Sequence, residues 1–364
     1  MKKKRKLDAS IKKRTKVVKK PKTPLWKGPE EDGLTQSLFG AFLVCRERFR
    51  LKVVEGLTTA SEFNHALEFG QMWHTCEEAV ASEEVWLEPL LNYSKTLLKK
   101  YPLQREQIGH WYNVCKLHFQ LYLEHYSKQK ERRKIQPLLQ EESFEVPYLL
   151  PSGRTVLMRG KWDRVDIVGS GAKKFIRLGE HKTKGQINDQ QIERQLSFDL
   201  QTMYYLTALD TYTTTKKLPK VRGILYNVVR RPLSGGKGSI RRHKGTKKNP
   251  QGESLEAFYG RLGAIIGEAP EEFFYRWDVE ISEADITKFK TEFLTPQLES
   301  LVDWWEWVSS PEGLADSFAN PIHHRHPYGV YNTMNEGRQG DIDEYLATGS
   351  TVGLTRAKTL FPEL

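Results

Sequence analysis

The stretch Gly160–Gly185, GKWDRVDIVGSGAKKFIRLGEHKTKG, decides how the chain is read. Two runs rich in Val, Ile, Phe and Leu flank the turn sequence GSGA, which is the pattern of a β-hairpin. Side chains in a strand alternate between faces, so Glu180 and Lys182, two apart, point to one side. A two-residue turn at Ser170–Gly171 sets Val168 opposite Lys173, Asp163 opposite Leu178 and Lys161 opposite Glu180. Directly opposite residues share a face. Asp163, Glu180 and Lys182 therefore share one with Val165, Ile167, Ile176 and Leu178, while Asp166 points to the other side.

Two carboxylates at the wet end of an apolar face repel each other unless a cation lies between them. Side-chain oxygens, a backbone carbonyl and water suit Mg2+ or Mn2+. A lysine beside such an ion can orient or deprotonate a water, or stabilise charge on a phosphorane-like transition state. That is the equipment of a phosphodiester hydrolase. Plain ion pairs, Lys161 with Glu180 or Asp163 with Lys182, would satisfy the same residues. The strands alone leave the two readings even.

Outward from the hairpin the period changes. Helical spacing dominates from Leu34 to about Gln140. It runs through LTQSLFGAFLVCRERFRLKVV, SEFNHALEFGQMWHTCEEAVAS and a longer pair from Glu84 to about Lys134. SFEVPYLL, the turn PSGR and TVLMRGKWDRVDIV read as a first hairpin. After the second comes a helix in DQQIERQLSFDLQTMYYLTALDTY and a strand in KVRGILYNVVRRP. The C-terminal third reads as one helix around ISEADITKFKTEFLTPQLESLVDWWEWV, then an irregular segment. Trp304, Trp305 and Trp307 are expected to pack that helix on the body rather than stack on bases. The spacing of His323, His324 and His326 fits no metal template.

Charge is placed unevenly. Residues 1–22 hold 12 of the 57 basic residues and one of the 46 acidic ones, so the remainder carries 45 of each and nets zero. A blocky basic arm reads as a disordered segment attracted to nucleic acid, or as a solubilising tail. Residues 230–250 hold eight Lys or Arg, four Gly and no acid, which reads as a flexible loop. Arg241, Arg242, Lys244, Lys247 and Lys248 are its candidate DNA contacts. SGGKGS lacks the phosphate-loop spacing, so ATP binding there is excluded. No apolar run approaches a membrane span and no secretory leader is apparent. The cysteines, Cys45, Cys76 and Cys115, are three and scattered, which favours a reducing compartment. The expected location is the cytoplasm of a bacterial host, or the nucleus if the source were eukaryotic.

These motifs together resemble the PD-(D/E)XK nuclease superfamily, in particular its RecB-type and phage-exonuclease-like branch. The matching pieces are G-x-x-D (Gly160 to Asp163), E-x-K (Glu180 to Lys182), Q-x-x-x-Y (Gln201 to Tyr205) and an upstream G-x-x-x-H (Gly70 to His74). An opening helix around Ser37 and Cys45 to Leu57 completes them, all in order between about residues 34 and 230. The resemblance implies an α/β fold with a restriction-endonuclease-like core, a mixed central β-sheet flanked by helices. It implies Asp163, Glu180, His74 and the His181 carbonyl as ligands of Mg2+ or Mn2+. Lys182 would activate the water, and Gln201 and Tyr205 would hold the lysine and a DNA phosphate.

The expected activity is metal-dependent hydrolysis of DNA, as an exonuclease in recombination, repair or replication, with a recombination or single-strand-binding protein as partner. A structure- or site-specific endonuclease and a silent DNA-binding protein are the alternatives. Many members of this branch carry an iron–sulfur cluster on four cysteines. With no cysteine after Cys115, no such cluster is expected here, and packing must hold the termini together. The chain then divides into a basic tail and linker (1–33), a helical part (34–140), the core (141–230), the basic loop (231–252) and an extension completing the domain (253–364).

Overall fold

Residues of strand-forming type at period two build a mixed six-stranded sheet, and the helices between them cover it. The computed structural model describes residues 24–58, 63–129, 133–187, 199–233, 240–247, 250–310, 344, 348 and 354–361. The basic arm 1–22, the histidines 323, 324 and 326, and Lys248 lie outside the described residues.

In chain order the elements are β1 (Leu34–Thr35), α1 (Gln36–Val44), β2 (Leu57–Thr58), α2 (His65–Ala81), α3 (Leu87–Lys100) and α4 (Arg105–Ser127). Then follow β3 (Ile135–Leu149), β4 (Thr155–Val168), β5 (Phe175–Lys184), α5 (Leu200–Thr215) and β6 (Val221–Arg230). The last are α6 (Leu255–Glu268), β7 (Phe274–Glu280), α7 (Glu283–Phe289), α8 (Thr295–Ser309) and β8 (Thr355–Arg356). This α/β arrangement is the fold class expected of a restriction-endonuclease-like core.

One boundary, two elements and the course of one helix differ from the expected ones. Strand begins at Ile135, earlier than the helical part was expected to end. Pro137 excludes helix there, and β3 tolerates Pro137 and Pro147 because it pairs with β4 alone. α6 and β7 were not anticipated. The long C-terminal helix is interrupted by a wide helical turn at Lys290–Leu294, before Pro296, whose missing N–H removes a helical hydrogen bond.

β5 runs antiparallel to β4 and parallel to β6, and β7 runs antiparallel to β6. β3 flanks β4 along almost its whole length. The other edge of β4 is shared: β5 takes Arg164–Val168, and β1 takes Met158 and Arg159. The hairpin register is shifted by two from that of a two-residue turn, because the loop also spends a short helical turn at Gly171–Lys173. Val168 thus pairs with Phe175 and Val165 with Leu178. Gly169 and Gly171 adopt φ of 94° and 59°, which residues with side chains rarely adopt. A shift of two leaves every side chain on its face. Lys161 changes partner, lying across from Ser143 of β3.

Two apolar cores result among the described residues. One lies on the Val165, Ile176 and Leu178 face and is closed by α1, α5 and α8. The other joins α2, α3, α4 and α6 around Trp73, Phe119 and Phe258. Trp304 is buried against Phe42 and Phe49, with ring centroids 5.5 and 5.6 Å away, and Trp305 meets Trp26 at 4.9 Å. Trp304 is a core residue and Trp305 packs half-buried against the core, whereas Trp307, expected to pack with them, is exposed. The C-terminal segment returns to the N-terminal part by pairing β8 with β2. Ala357 N–H donates to the Gly56 carbonyl (2.7 Å) and Arg356 Nε to the Glu55 carbonyl (2.9 Å).

On the far face of the hairpin, Asp166 is buried with Arg177, 3.7 Å away, and accepts from Arg164 Nε at 2.8 Å. Removing one partner of a buried ion pair typically costs about 3–5 kcal/mol. Asp166→Ala is therefore expected to lower stability by about that much in chemical denaturation, while turnover per folded molecule stays near that of the parent. A stable variant would show that the pair is not needed.

Candidate active site

β4 and β5 pair from Val168–Phe175 only as far as Arg164–Gly179, and then they part. Asp163 and Glu180 are the first residues beyond the split. The parting frees a backbone donor that a continuous sheet would have consumed: His181 N–H donates to Asp163 Oδ2 at 2.8 Å. α5 enters the fork. Asp199 caps its first turn by accepting from Thr202 N–H, which sets Gln201 beside β5.

Gln201 Nε2 donates to Glu180 Oε1 (2.7 Å), and Lys182 Nζ donates to Gln201 Oε1 (2.8 Å) and to Glu180 Oε1 (3.1 Å). One carboxylate oxygen is thus bound twice. The other, Glu180 Oε2, is buried without a hydrogen-bond partner. Tyr205, one turn along α5, lies within hydrogen-bonding reach of Gln201 in this triangle. Its ring lies over Gly160, where a Cβ would come within 3.0 Å of it and 2.7 Å of Phe144. The glycine of G-x-x-D admits two aromatic rings onto the strand.

On the other side, α2 brings His74 Nδ1 to 3.8 Å from Asp163 Oδ1. Gly70, one turn earlier, lets the helix lie close to β5: a Cβ there would touch Thr183 Oγ1 at 3.4 Å. His181 pairs its imidazole with Glu77, Nδ1 lying 3.2 Å from Oε1. His74, Glu141 and Asp163 each offer one ligand atom, all within 4.8 Å of one another. Glu141 and Glu77 were not foreseen. Glu77 follows His74 by three residues on one helix and was within reach of the helical spacing. Glu141 needed the β3–β4 register.

The site is short of positive charge. Burial raises the Asp163 carboxyl above its usual range, against the pull of His181. Glu180 is pushed up to about 7, first by burial and then by the Asp163 charge, with Lys182 opposing. Burial and the neighbouring His181 lower His74, which holds a neutral imidazole with a lone pair to give. Burial alone would lower Lys182, but the charges of Glu180 and Asp199 outweigh it and hold the ammonium above the ordinary lysine value.

A model of the PD-(D/E)XK nuclease superfamily matches residues 34–300, spanning the fork and all the helices that close it. The chain belongs to the PD-(D/E)XK nuclease superfamily. No curated protein matches the sequence. Members of the superfamily are generally metal-dependent nucleases, and the substrate class is DNA. The residues here fit such an ion. Carboxylate oxygens and a neutral imidazole converge, no thiol is among them, and one buried carboxylate oxygen lacks a partner.

Arg241, Arg242, Lys244 and Lys247 are exposed. Their loop is anchored to the start of α6, where His243 N–H donates to Glu253 (2.9 Å) and Arg261 donates to the Arg241 carbonyl (2.9 Å). No helix among the described residues is long and apolar enough to cross a membrane.

The raised Glu180 value fixes a sign. Without metal, the folded protein keeps a proton that the unfolded chain loses from the ordinary value of 4.5 upward, until Glu180 ionises at about 7. Stability then falls as pH rises through that window. A divalent cation demands the ionised carboxylates and reverses the slope. The melting temperature of the metal-free protein should fall between about pH 5 and pH 7, and Mn2+ should raise it more at the higher pH. Equal gains at both pH values would remove the carboxylates as the coupled groups.

Proposed function

We propose that the protein is a Mg2+- or Mn2+-dependent DNA exonuclease of the RecB-like, phage-exonuclease-like branch, acting in recombination, repair or replication. The observation that carries the nuclease chemistry is the fork itself. Asp163, Glu180 and Lys182 converge where two strands part, and Gln201 locks the lysine to the glutamate. Support for the branch is the ordered set of G-x-x-x-H, G-x-x-D, E-x-K and Q-x-x-x-Y motifs.

Asp163, Glu180, His74 and the His181 carbonyl would hold the metal. When bound, the ion would supply an acidified water and neutralise charge on the scissile phosphate. Lys182, held as an ammonium by Glu180 and Asp199 before the metal binds, would orient or activate the attacking water and stabilise the developing negative charge. Gln201 keeps Lys182 and Glu180 in register with each other. Tyr205 braces β4 behind Asp163 through its packing on Gly160. Arg241, Arg242, Lys244, Lys247 and Lys248 would follow the DNA backbone, and the basic arm would add non-specific affinity.

End-labelled linear and closed-circular DNA, incubated with Mg2+, Mn2+ or chelator, tests the activity. Loss of linear DNA alone is expected, and chelator should stop it. Nicked circles would mark an endonuclease instead. Lys182→Ala should cut turnover by at least ~10²-fold while leaving Mn2+ and DNA binding largely intact, the scale of a positioned charge-stabilising group. Near-normal turnover would reduce Lys182 to a structural ion-pair partner.

The basic arm has its own signature. Each phosphate it neutralises adds about −0.9 to the slope of log K against log[salt] on duplex DNA. Removing residues 1–21 should flatten that slope and weaken binding most at low salt, with turnover on saturating DNA unchanged. Coincident slopes would assign the arm another task.

A further inference from the structure

We propose that Glu141 is a further ligand of the divalent cation at Asp163, and that Lys161 keeps its place until the cation arrives. This inference rests on the metal-site reading above and extends it to two residues outside the motif set.

The argument begins with register. Gln140 pairs with Arg164 and Glu142 with Trp162, which puts Glu141 opposite Asp163 on the neighbouring strand. Like charges set opposite each other in a sheet destabilise it. The backbone at Glu141 also adopts φ 47°, a left-handed conformation uncommon for a residue with a side chain. Two unfavourable choices at one position place this carboxylate close to Asp163 and His74, with ligand atoms within 4.8 Å of one another.

The oxygens divide accordingly. Asp163 Oδ2 is engaged by the His181 N–H, whereas Oδ1 faces His74 at 3.8 Å. A second observation comes from Glu180, only 4% exposed, whose Oε2 has no hydrogen-bond partner and whose charge is felt by both Asp163 and His74. The carboxylates on this side are arranged for a cation with more charge and more coordination sites than an ammonium.

Lys161 is the cation there now. Its Nζ lies 2.8 Å from Glu141 Oε2 and 3.7 Å from Glu78 Oε1. Glu78 is exposed and sits one helical turn beyond His74 on α2. When a divalent ion takes Glu141, the ammonium has a second carboxylate within reach, so it can move without being stranded. Metal entry is then an exchange of one cation for another at Glu141.

The two residues have opposite expected effects, which a merely structural ion pair would not produce. Mn2+ binding is read by calorimetric titration of the full chain, with folding checked by circular dichroism. Glu141→Gln should weaken Mn2+ by about 10-fold or more, at least the scale of groups that support metal ligands. Lys161→Met should tighten it, because the competing cation is gone. Asp163→Asn serves as the control for the site itself. Unchanged affinity in Glu141→Gln, or weaker binding in Lys161→Met, overturns the proposal while the loss in Asp163→Asn leaves the metal-site reading standing. Full affinity in Asp163→Asn would instead overturn that reading. Should Glu141→Gln fail to fold, the sign of the Lys161→Met effect decides alone.

Discussion

The hydrogen bond from the His181 N–H to Asp163 Oδ2 marks where the sheet stops being continuous, and the rest of the site follows from that break. In an unbroken hairpin the donor would be spent on the neighbouring strand, and the carboxylates would lie on a flat, crowded surface. Parting the strands after Arg164–Gly179 turns the donor onto a side chain and opens room for the start of α5. Each strand remains supported on its outer side, β4 by β3 and β5 by β6 as far as Lys184–Arg230. The fork can therefore be wide without either strand fraying.

The two faces of the same hairpin treat charge in opposite ways. On the far face, buried Asp166 is matched by Arg177 and Arg164, and the arrangement is one of structure. On the near face, Lys182, His181 and Lys161 stand against Asp163, Glu180, Glu141 and Glu77, and the Asp163 and Glu180 carboxyls still rise above their ordinary values. Burial of under-matched carboxylates is costly in a folded protein and marks a site that expects another cation. The distinction between structural and functional ion pairs, which the strands alone left open, turns on this imbalance.

Much of this was legible in the sequence because strand parity tolerates error. The hairpin register expected from a two-residue turn was wrong by two, yet the faces of Asp163, Asp166, Glu180 and Lys182 came out as expected, since only odd shifts exchange faces. Gln201 was legible for a similar reason, being one helical turn from Tyr205 and next to a capping Asp199. Pairings between distant segments were less accessible. Lys161 was assigned to the wrong strand, because its position opposite β3 depends on a second hairpin and a bulge near Leu138. Glu141 carried no signal at all. Its role depends on a left-handed backbone that its own residue type does not favour. α6 and β7 lie between the basic loop and the C-terminal helix, in a segment for which no element was expected from the sequence.

The protonation of Lys182 bears on how such a site can work. A lysine that accepts a proton from water must first be neutral, which calls for an environment that lowers its value. Here burial does lower it, but Glu180, Asp199 and Asp163 together outweigh burial and keep the ammonium charged. In the metal-free site an amine held protonated in this way would not take the proton of a water. What Lys182 can do is donate, and Gln201 fixes the direction in which it does so, 2.8 Å from Nζ. Adding positive charge at the carboxylates would weaken their hold on the ammonium and free one of its hydrogens for an anionic oxygen. A cation relieving the crowding at Asp163 and Glu180 would thus also ready the lysine, so the charge deficit and the proposed donor would be two consequences of one buried arrangement.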